Sequence, residues 1–269
     1  MRKYKRVLTI AGSDSGGGAG IQADIKAISA CGCFATSAIT AITAQNTVGV
    51  TDIHPIPIST ISNQIKAVLE DIGTDSVKIG MLHNSETIVS VCEALKEFNI
   101  SNIVLDPVMV STSGNTLLQS EAISSLKKVL IPLARVITPN IPEAEILLDK
   151  KITNQNQLPD LAKELSLDGK VSVLLKAGHL SDGELIDIFY NAETDEIIEL
   201  KSKRSSSKNT HGTGCTLSSA FAAFLARGFD LNEAARNAKK YINKAIVCGA
   251  DFSTGKGHGP VNHFYQYWD

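Results

Sequence analysis

The chain has 269 residues, of which 43% are apolar and 20% charged, with a formal net charge of −2. That balance fits an ordinary globular fold. It excludes a broad basic field for nucleic acid, and no apolar run approaches the length of a membrane span.

Apolar runs alternate with helical patterns along most of the chain. A strand is expected at residues 6–10, a helix at 21–30 and a second strand at 34–42. Helices at 60–72 and 85–98 flank a strand at 76–79, and a strand at 102–105 follows. A helix at 120–130, a strand at 135–138, helices at 142–148 and 157–167 and a strand at 171–176 come next. Residues 184–190 and 196–201 alternate polar and apolar side chains around a turn at 191–195, so they read as a hairpin. Helices at 215–226 and 231–249 close the pattern. Continuous apolar strands between amphipathic helices predict an α/β fold, with a mainly parallel sheet covered on both faces. No linker or repeat divides the chain, so one domain is expected. The five cysteines show no metal-ligand spacing beyond one Cys-x-Cys. An odd number without a secretory signal points to reduced thiols in a cytoplasm.

Open α/β sheets bind ligands at the carboxyl ends of their strands. Ser13, Asp14, Gln45, Asn46, Met81, Asp106, Asn140, Glu143 and Lys176 all fall near such ends. Gly16-Gly17-Gly18-Ala19-Gly20 follows the first strand and opens a helix. Gly18-x-Gly20-x-x-Ala23 fits the loose form of a dinucleotide fingerprint. However, Thr43-Ala44-Gln45 occupies the region where an acidic ribose partner is required. The loop reads better as one that lets a substrate approach the backbone, with Asp24 one helical turn inside.

Asp106 stands at a strand tip that Pro107 ends. The small polar segment Ser111-Thr112-Ser113-Gly114-Asn115 after it reads as a mobile lid or an inert loop. Asn140 and Glu143 open a helix, either as the two partners of a capping box or as oxygens for Mg²⁺ and its water shell. Lys176 reads as a phosphate contact or as a snorkelling surface residue.

Gly212-Thr213-Gly214 turns the chain tightly into an alanine-rich helix. Such a turn aims unpaired amides and the positive end of a helix dipole at one point, which makes an anion hole. Cys215 lies on its rim. The alternative is a plain helix start with a buried cysteine. His211 beside it reads as a loop hydrogen-bonder rather than a catalytic group.

Seven segments together carry a resemblance: residues 11–24, 43–47, 78–81, 105–109, 138–143 and 209–215, and the glycine-rich stretch at 255–260. In this order they resemble the ribokinase-like superfamily, and within it the hydroxymethylpyrimidine/phosphomethylpyrimidine kinases of thiamin biosynthesis. The resemblance implies a three-layer α/β/α fold with a small hairpin. It also implies an ATP- and Mg²⁺-dependent kinase that phosphorylates a hydroxymethylpyrimidine and then its monophosphate, acting as a homodimer. It places the pyrimidine near Gly12, Ala19, Asp24, Gln45, Met81 and Val108. Gln45 would read the amino and nitrogen edge of the ring. Asp106, Glu143 and Lys176 would serve metal and phosphates, with Asn140, Thr213 and Lys239 in the same region.

Sugar kinases of this fold carry an aspartate base where this chain has Cys215, as the pyrimidine kinase branch does. A free thiol titrates near pH ~8.5, and a helix N-terminus lowers that value. Cys215 is therefore expected to accept the hydroxyl proton while the amides at Gly212, Thr213, Gly214 and Cys215 hold the transferring charge. A pyridoxal kinase is the nearest alternative, but a related pyridoxal-directed subgroup carries a second cysteine in the lid, and residues 110–114 contain none. A non-catalytic nucleotide-binding regulator would lack the carboxylates or Cys215, which are all present.

Overall fold

The computed structural model describes residues 2–110, 117–180 and 183–268. The expected lid segment, residues 111–115, lies wholly among the residues outside that description. Among the described residues, nine strands form one sheet in the order β3-β2-β1-β4-β5-β6-β7-β8-β9. The parallel part comprises β1 (Arg6–Asp14), β2 (Phe34–Gln45), β4 (Ser76–Ile79), β5 (Ile103–Leu105), β6 (Val136–Ile137) and β7 (Ser172–Leu175). The predicted hairpin, β8 (Glu184–Asn191) with β9 (Glu196–Lys203), extends the sheet antiparallel from β7.

Alternation along each strand builds two cores. Leu8, Ile10, Ile79, Leu105, Ile137 and Leu175 pack on one face, against α2 (Ile58–Ala67), α3 (Ser85–Glu97), α5 (Ile141–Leu148) and α6 (Leu158–Leu165). Val7, Val104, Val136 and Leu174 pack on the other, against α1 (Gly20–Ala30), α7 (Thr213–Ala226) and α8 (Leu231–Cys248). Strands buried on both faces need continuous apolar sequence, which is what made them readable.

The structure corrects several boundaries. β1 and β2 run past their expected ends at Ile10 and Ile42, and so carry Ser13, Asp14 and Gln45 into the site. The edge strand β3 (Val50–Pro55) was not expected. It is antiparallel to β2 and half polar, and its side chains are largely exposed, so it has neither an apolar run nor a clean alternation. The helix expected at 60–72 is α2 followed by a π-turn at Val68–Ile72. The helix expected at 120–130 is the short α4 (Ala122–Ser125) followed by another at Leu126–Leu130. The pattern gave the apolar face correctly in both cases but not the looser winding.

Candidate active site

A cavity of about 720 Å³ runs along the carboxyl edge of the parallel strands. Of the residues singled out by sequence, Gly12, Ala19, Gln45, Met81, Val108, Asp106, Asn140, Glu143, Lys176, Gly212, Thr213, Gly214, Cys215 and Lys239 line it. Asp24 does not.

The glycine loop is built around Asp14. Its carboxylate accepts from the amides of Gly16 (2.8 Å), Gly18 (3.0 Å) and Ala19 (2.8 Å), and lies 2.8 Å from His211 Nε2. Desolvation opposes the charge, but His211 and these amides outweigh it and hold the Asp14 pKa below the usual carboxylate value. The loop-bonding reading of His211 is therefore the observed one. Its neighbour Gly212 adopts a left-handed φ of 77°, and a Cβ there would stand 1.8 Å from Gly18 O. Only glycine lets the turn before α7 press on the loop after β1. Gly12 similarly makes room for Met81, whose Sδ would lie 3.0 Å from an added Cβ. Gln45 Oε1 lies 3.1 Å from Thr43 Oγ1, and Nε2 lies 3.4 Å from His211 Nε2.

The charged end of the cavity joins three strand tips. Lys176 Nζ donates to Asp106 Oδ1 at 3.0 Å, and Thr138 Oγ1 donates to the same oxygen at 3.1 Å. Asn140 and Glu143 form the full capping box: Glu143 N donates to Asn140 Oδ1 (2.9 Å), and Asn140 N donates to Glu143 Oε2 (2.8 Å). Glu143 also lines the cavity while only 5% exposed, so capping and facing the site coexist. Burial pushes its pKa up to about 7; Lys176 opposes that rise and Asp106 adds to it. Desolvation works against the Lys176 charge, but Asp106 and Glu143 outweigh it and raise its pKa.

Helix α7 starts directly over this pair. Its N-cap is Gly212, and an added Cβ on Gly214 would lie 3.3 Å from both Asp106 Oδ2 and Lys176 Nζ. The amides of Gly214 and Cys215 belong to the first turn, where no carbonyl lies four residues back to receive them. The Thr213 amide is already engaged by Thr210 O at 3.3 Å, so it offers less to a ligand than the sequence suggested.

Two further expectations are corrected. Asp24 was placed against the pyrimidine. It is instead fully buried, and it accepts from Lys78 Nζ (2.9 and 3.0 Å), Thr9 Oγ1 (2.6 Å) and Ser219 Oγ (2.7 Å). A carboxylate one turn into α1 reaches the interface with β1, β4 and α7 rather than the cavity. The Cys215 thiol was expected to titrate low. Burial pushes it up to about 11, Lys78 pulls it down, and Asp24 and Asp106 push it further up. Loss of water outweighs the lowering by Lys78 and by the Gly20 backbone hydrogen bond there. Lys239 lines the cavity, but its ammonium is held by Asp187 at 2.7 Å. Sequence reasoning missed Asp187, the role of Asp14 and Lys78. A lysine inside the apolar run Ser76–Ile79 was a usable signal, because lysine is almost never fully buried without a partner.

Among the described residues, no group of three or more His, Cys, Asp or Glu could hold a metal by themselves. No helix among them is long and apolar enough to cross a membrane.

The phosphomethylpyrimidine kinase family model matches residues 14–262. A hydroxymethylpyrimidine/phosphomethylpyrimidine kinase of Haemophilus influenzae is 48% identical over 98% of this chain and 98% of that one. Relatives named as bifunctional thiamine biosynthesis proteins are longer, and the chain spans about half of each. A crystal structure of phosphomethylpyrimidine kinase from Clostridium difficile superimposes with a TM-score of 0.78 at 47% identity, covering 90% of this chain and 99% of that one. An ADP complex of Bacillus subtilis pyridoxal kinase superimposes with a TM-score of 0.89 at 35% identity, covering 99% and 100%. With a mainly parallel sheet, a glycine turn opening α7 at its carboxyl edge and a match along nearly its whole length, the chain belongs to the phosphomethylpyrimidine kinase family.

Proposed function

We propose that the chain transfers the γ-phosphoryl group of ATP to the hydroxyl of 4-amino-5-hydroxymethyl-2-methylpyrimidine, and then a second one to the resulting monophosphate. One observation carries this reading: the first turn of α7 opens over the Asp106–Lys176 pair, with Cys215 beside it in the same cavity. The pyrimidine fits the end lined by Gly12, Ala19, Gln45, Met81 and Val108, where the Gln45 amide both donates and accepts.

In the first step the substrate hydroxyl oxygen forms a bond to the γ-phosphorus, and the bond from that phosphorus to the bridging oxygen of ADP breaks. The Gly214 and Cys215 amides and Lys176 hold the charge on the transferring group. The hydroxyl proton passes to Cys215 in its thiolate form, which becomes the thiol. The proton needs to leave only as the new bond forms, so a modest acceptor is enough in a loose transition state. Magnesium prefers oxygen ligands and keeps several waters, so two buried carboxylates fit it without a full protein cage. Asp106 and Glu143 would hold it, and it would neutralise nucleotide phosphate charge there. Lys239, fixed by Asp187, lines the nucleotide end of the cavity. A homodimer in the cytoplasm, with each chain one domain, completes the reading.

The pyridoxal kinase likeness supplies a second reading, because its fold agreement is the higher of the two. Steady-state kinetics separates them. A site that hydrogen-bonds an aminopyrimidine edge should give that substrate the higher kcat/KM; equal or reversed values move the function to pyridoxal. Cys215→Ala should slow the first phosphorylation by about 10²–10⁴-fold, the usual worth of a general base. The second phosphorylation starts from an ionised phosphate and should slow much less. Equal losses in both steps would mean that Cys215 acts through packing, and no loss would remove it from the chemistry.

A further inference from the structure

Under the anion hole lies a charge that the reaction as described does not use. Lys78 is fully buried and its partner Asp24 is fully buried with it. Asp24 takes both contacts from the ammonium and is filled from two other elements, by Thr9 on β1 and Ser219 on α7. Ser219 lies four residues after Cys215, on the same face of α7. The Asp24–Ser219 bond therefore fixes the helix face that carries Cys215. Lys78 also borders the cavity, and Gly80 makes room for it: an added Cβ there would stand 2.8 Å from Nζ. A lone buried ion pair is poor evidence of stabilisation, because desolvation offsets its attraction. A buried lysine that borders the same cavity as a candidate proton acceptor calls for another reason.

We propose that Lys78 is a positioning residue for Cys215. It supplies a fixed positive charge at the cavity wall that Cys215 shares, which lowers the cost of forming the thiolate, while Asp24, Thr9 and Ser219 hold the ammonium in place. The proposal rests on Cys215 being the proton acceptor. The groups that act on the sulfur are Lys78 from β4, Asp24 and the Gly20 backbone amide from α1, Asp106 after β5 and Lys176 after β7. Lys78 favours the thiolate and the two carboxylates oppose it. Of the two lysines, Lys176 is already committed to Asp106 and Glu143 at the phosphate end. Lys78 is paired too, with Asp24, but it is the lysine whose charge acts on the sulfur and lowers its pKa.

The test reads the thiol directly. In a Cys248→Ala background, which removes an exposed thiol, Cys215 alkylation by iodoacetamide at pH 8 is followed by peptide mass spectrometry. Lys78→Met should slow it. A one-unit rise in thiol pKa lowers the thiolate fraction tenfold and raises intrinsic reactivity about threefold, for a net loss of about threefold. The kcat of the first phosphorylation should fall about tenfold while the pyrimidine KM stays within about twofold. Lys78→Met leaves Asp24 without its cation, so Lys78→Met/Asp24→Asn serves as the variant with no buried charge and should shift both readouts in the same direction. Unchanged alkylation in a folded variant, or a kcat loss that tracks only melting temperature, overturns the proposal. If Cys215→Ala keeps first-step turnover, the base reading fails instead, and the alkylation result still reports whether Lys78 acts on the sulfur.

Discussion

Two buried lysine–aspartate pairs stand side by side at the sheet edge, and they differ in how completely they are closed. In the Lys78–Asp24 pair both side chains are 0% exposed, and the carboxylate is filled by two hydroxyls besides the ammonium. In the Lys176–Asp106 pair the lysine side chain is 13% exposed, one carboxylate oxygen takes both Lys176 and Thr138, and Glu143 adds a further negative group. The first pair is a finished circuit. The second carries surplus carboxylate and faces the cavity, so it has capacity left for a ligand. Pairing chemistry alone does not tell a structural site from a binding site; saturation and access do.

The largest expected effect comes from opening the closed pair. Asp24→Leu leaves a buried ammonium alone, and breaking a buried pair from one side costs about 3–5 kcal/mol. For a chain of this size that is a fall in melting temperature on the order of 10 °C. A fall of only a degree or two by calorimetry would show that the pair is less sealed than its burial indicates. The open pair should respond the other way round. Lys176→Met should cut first-step kcat by about 10²–10³, the loss seen when one donor to developing charge is removed. It should cost less stability than Asp24→Leu, since Glu143, already raised to about 7, can take up a proton. A variant that melts early and turns over normally would reverse the two roles.

The open pair also has a pH signature. The folded-state pKa of Glu143, about 7, lies above its ordinary value of 4.5. A raised carboxyl pKa contributes stability that is complete below the unfolded value and is lost as pH rises through the folded one. The chain should therefore lose stability from this group between about pH 4.5 and 7, to a limit on the order of 3 kcal/mol. Glu143→Gln has no such slope and its amide oxygen can still cap α5. Its melting temperature should gain on the parent as pH goes from 5 to 8, while turnover falls. A difference that stays flat with pH would mean that Glu143 is ionised without penalty.

The open pair was legible in the sequence and the closed one was not, for a physical reason. Asp106 and Lys176 sit where apolar strands end, and a charge at that edge has few uses apart from a ligand. Asp24 lies one turn into an amphipathic helix, where the same spacing serves a side chain facing substrate or one facing the core. Its burial depends on Lys78, Thr9 and Ser219, far apart in the chain, and periodicity carries no information about such partners. The parallel strands were legible because they are apolar throughout, whereas β3, exposed and ending at Pro55, was not. The direction of the Cys215 pKa was misjudged because the helix dipole is visible in sequence and the loss of water around a side chain is not.

The smallest effect is a matched pair of hydroxyl deletions. Thr9 donates to Asp24 at 2.6 Å, and Thr138 donates to Asp106 at 3.1 Å. Thr→Val preserves shape and removes one donor from a charged acceptor, which is worth about 1.5–3 kcal/mol when nothing replaces it. Around Asp24 no water can enter, so Thr9→Val should show that full loss in a urea titration, with the slope unchanged. Around Asp106 the cavity admits water, and Oδ1 keeps Lys176, so Thr138→Val should lose clearly less stability. It should instead weaken nucleotide-dependent turnover by a few-fold, because Asp106 is less firmly aimed. Equal stability losses at the two positions would mean that both carboxylates are equally dry. The distinction between a closed and an open pair would then have to rest on the surplus charge of Glu143 alone.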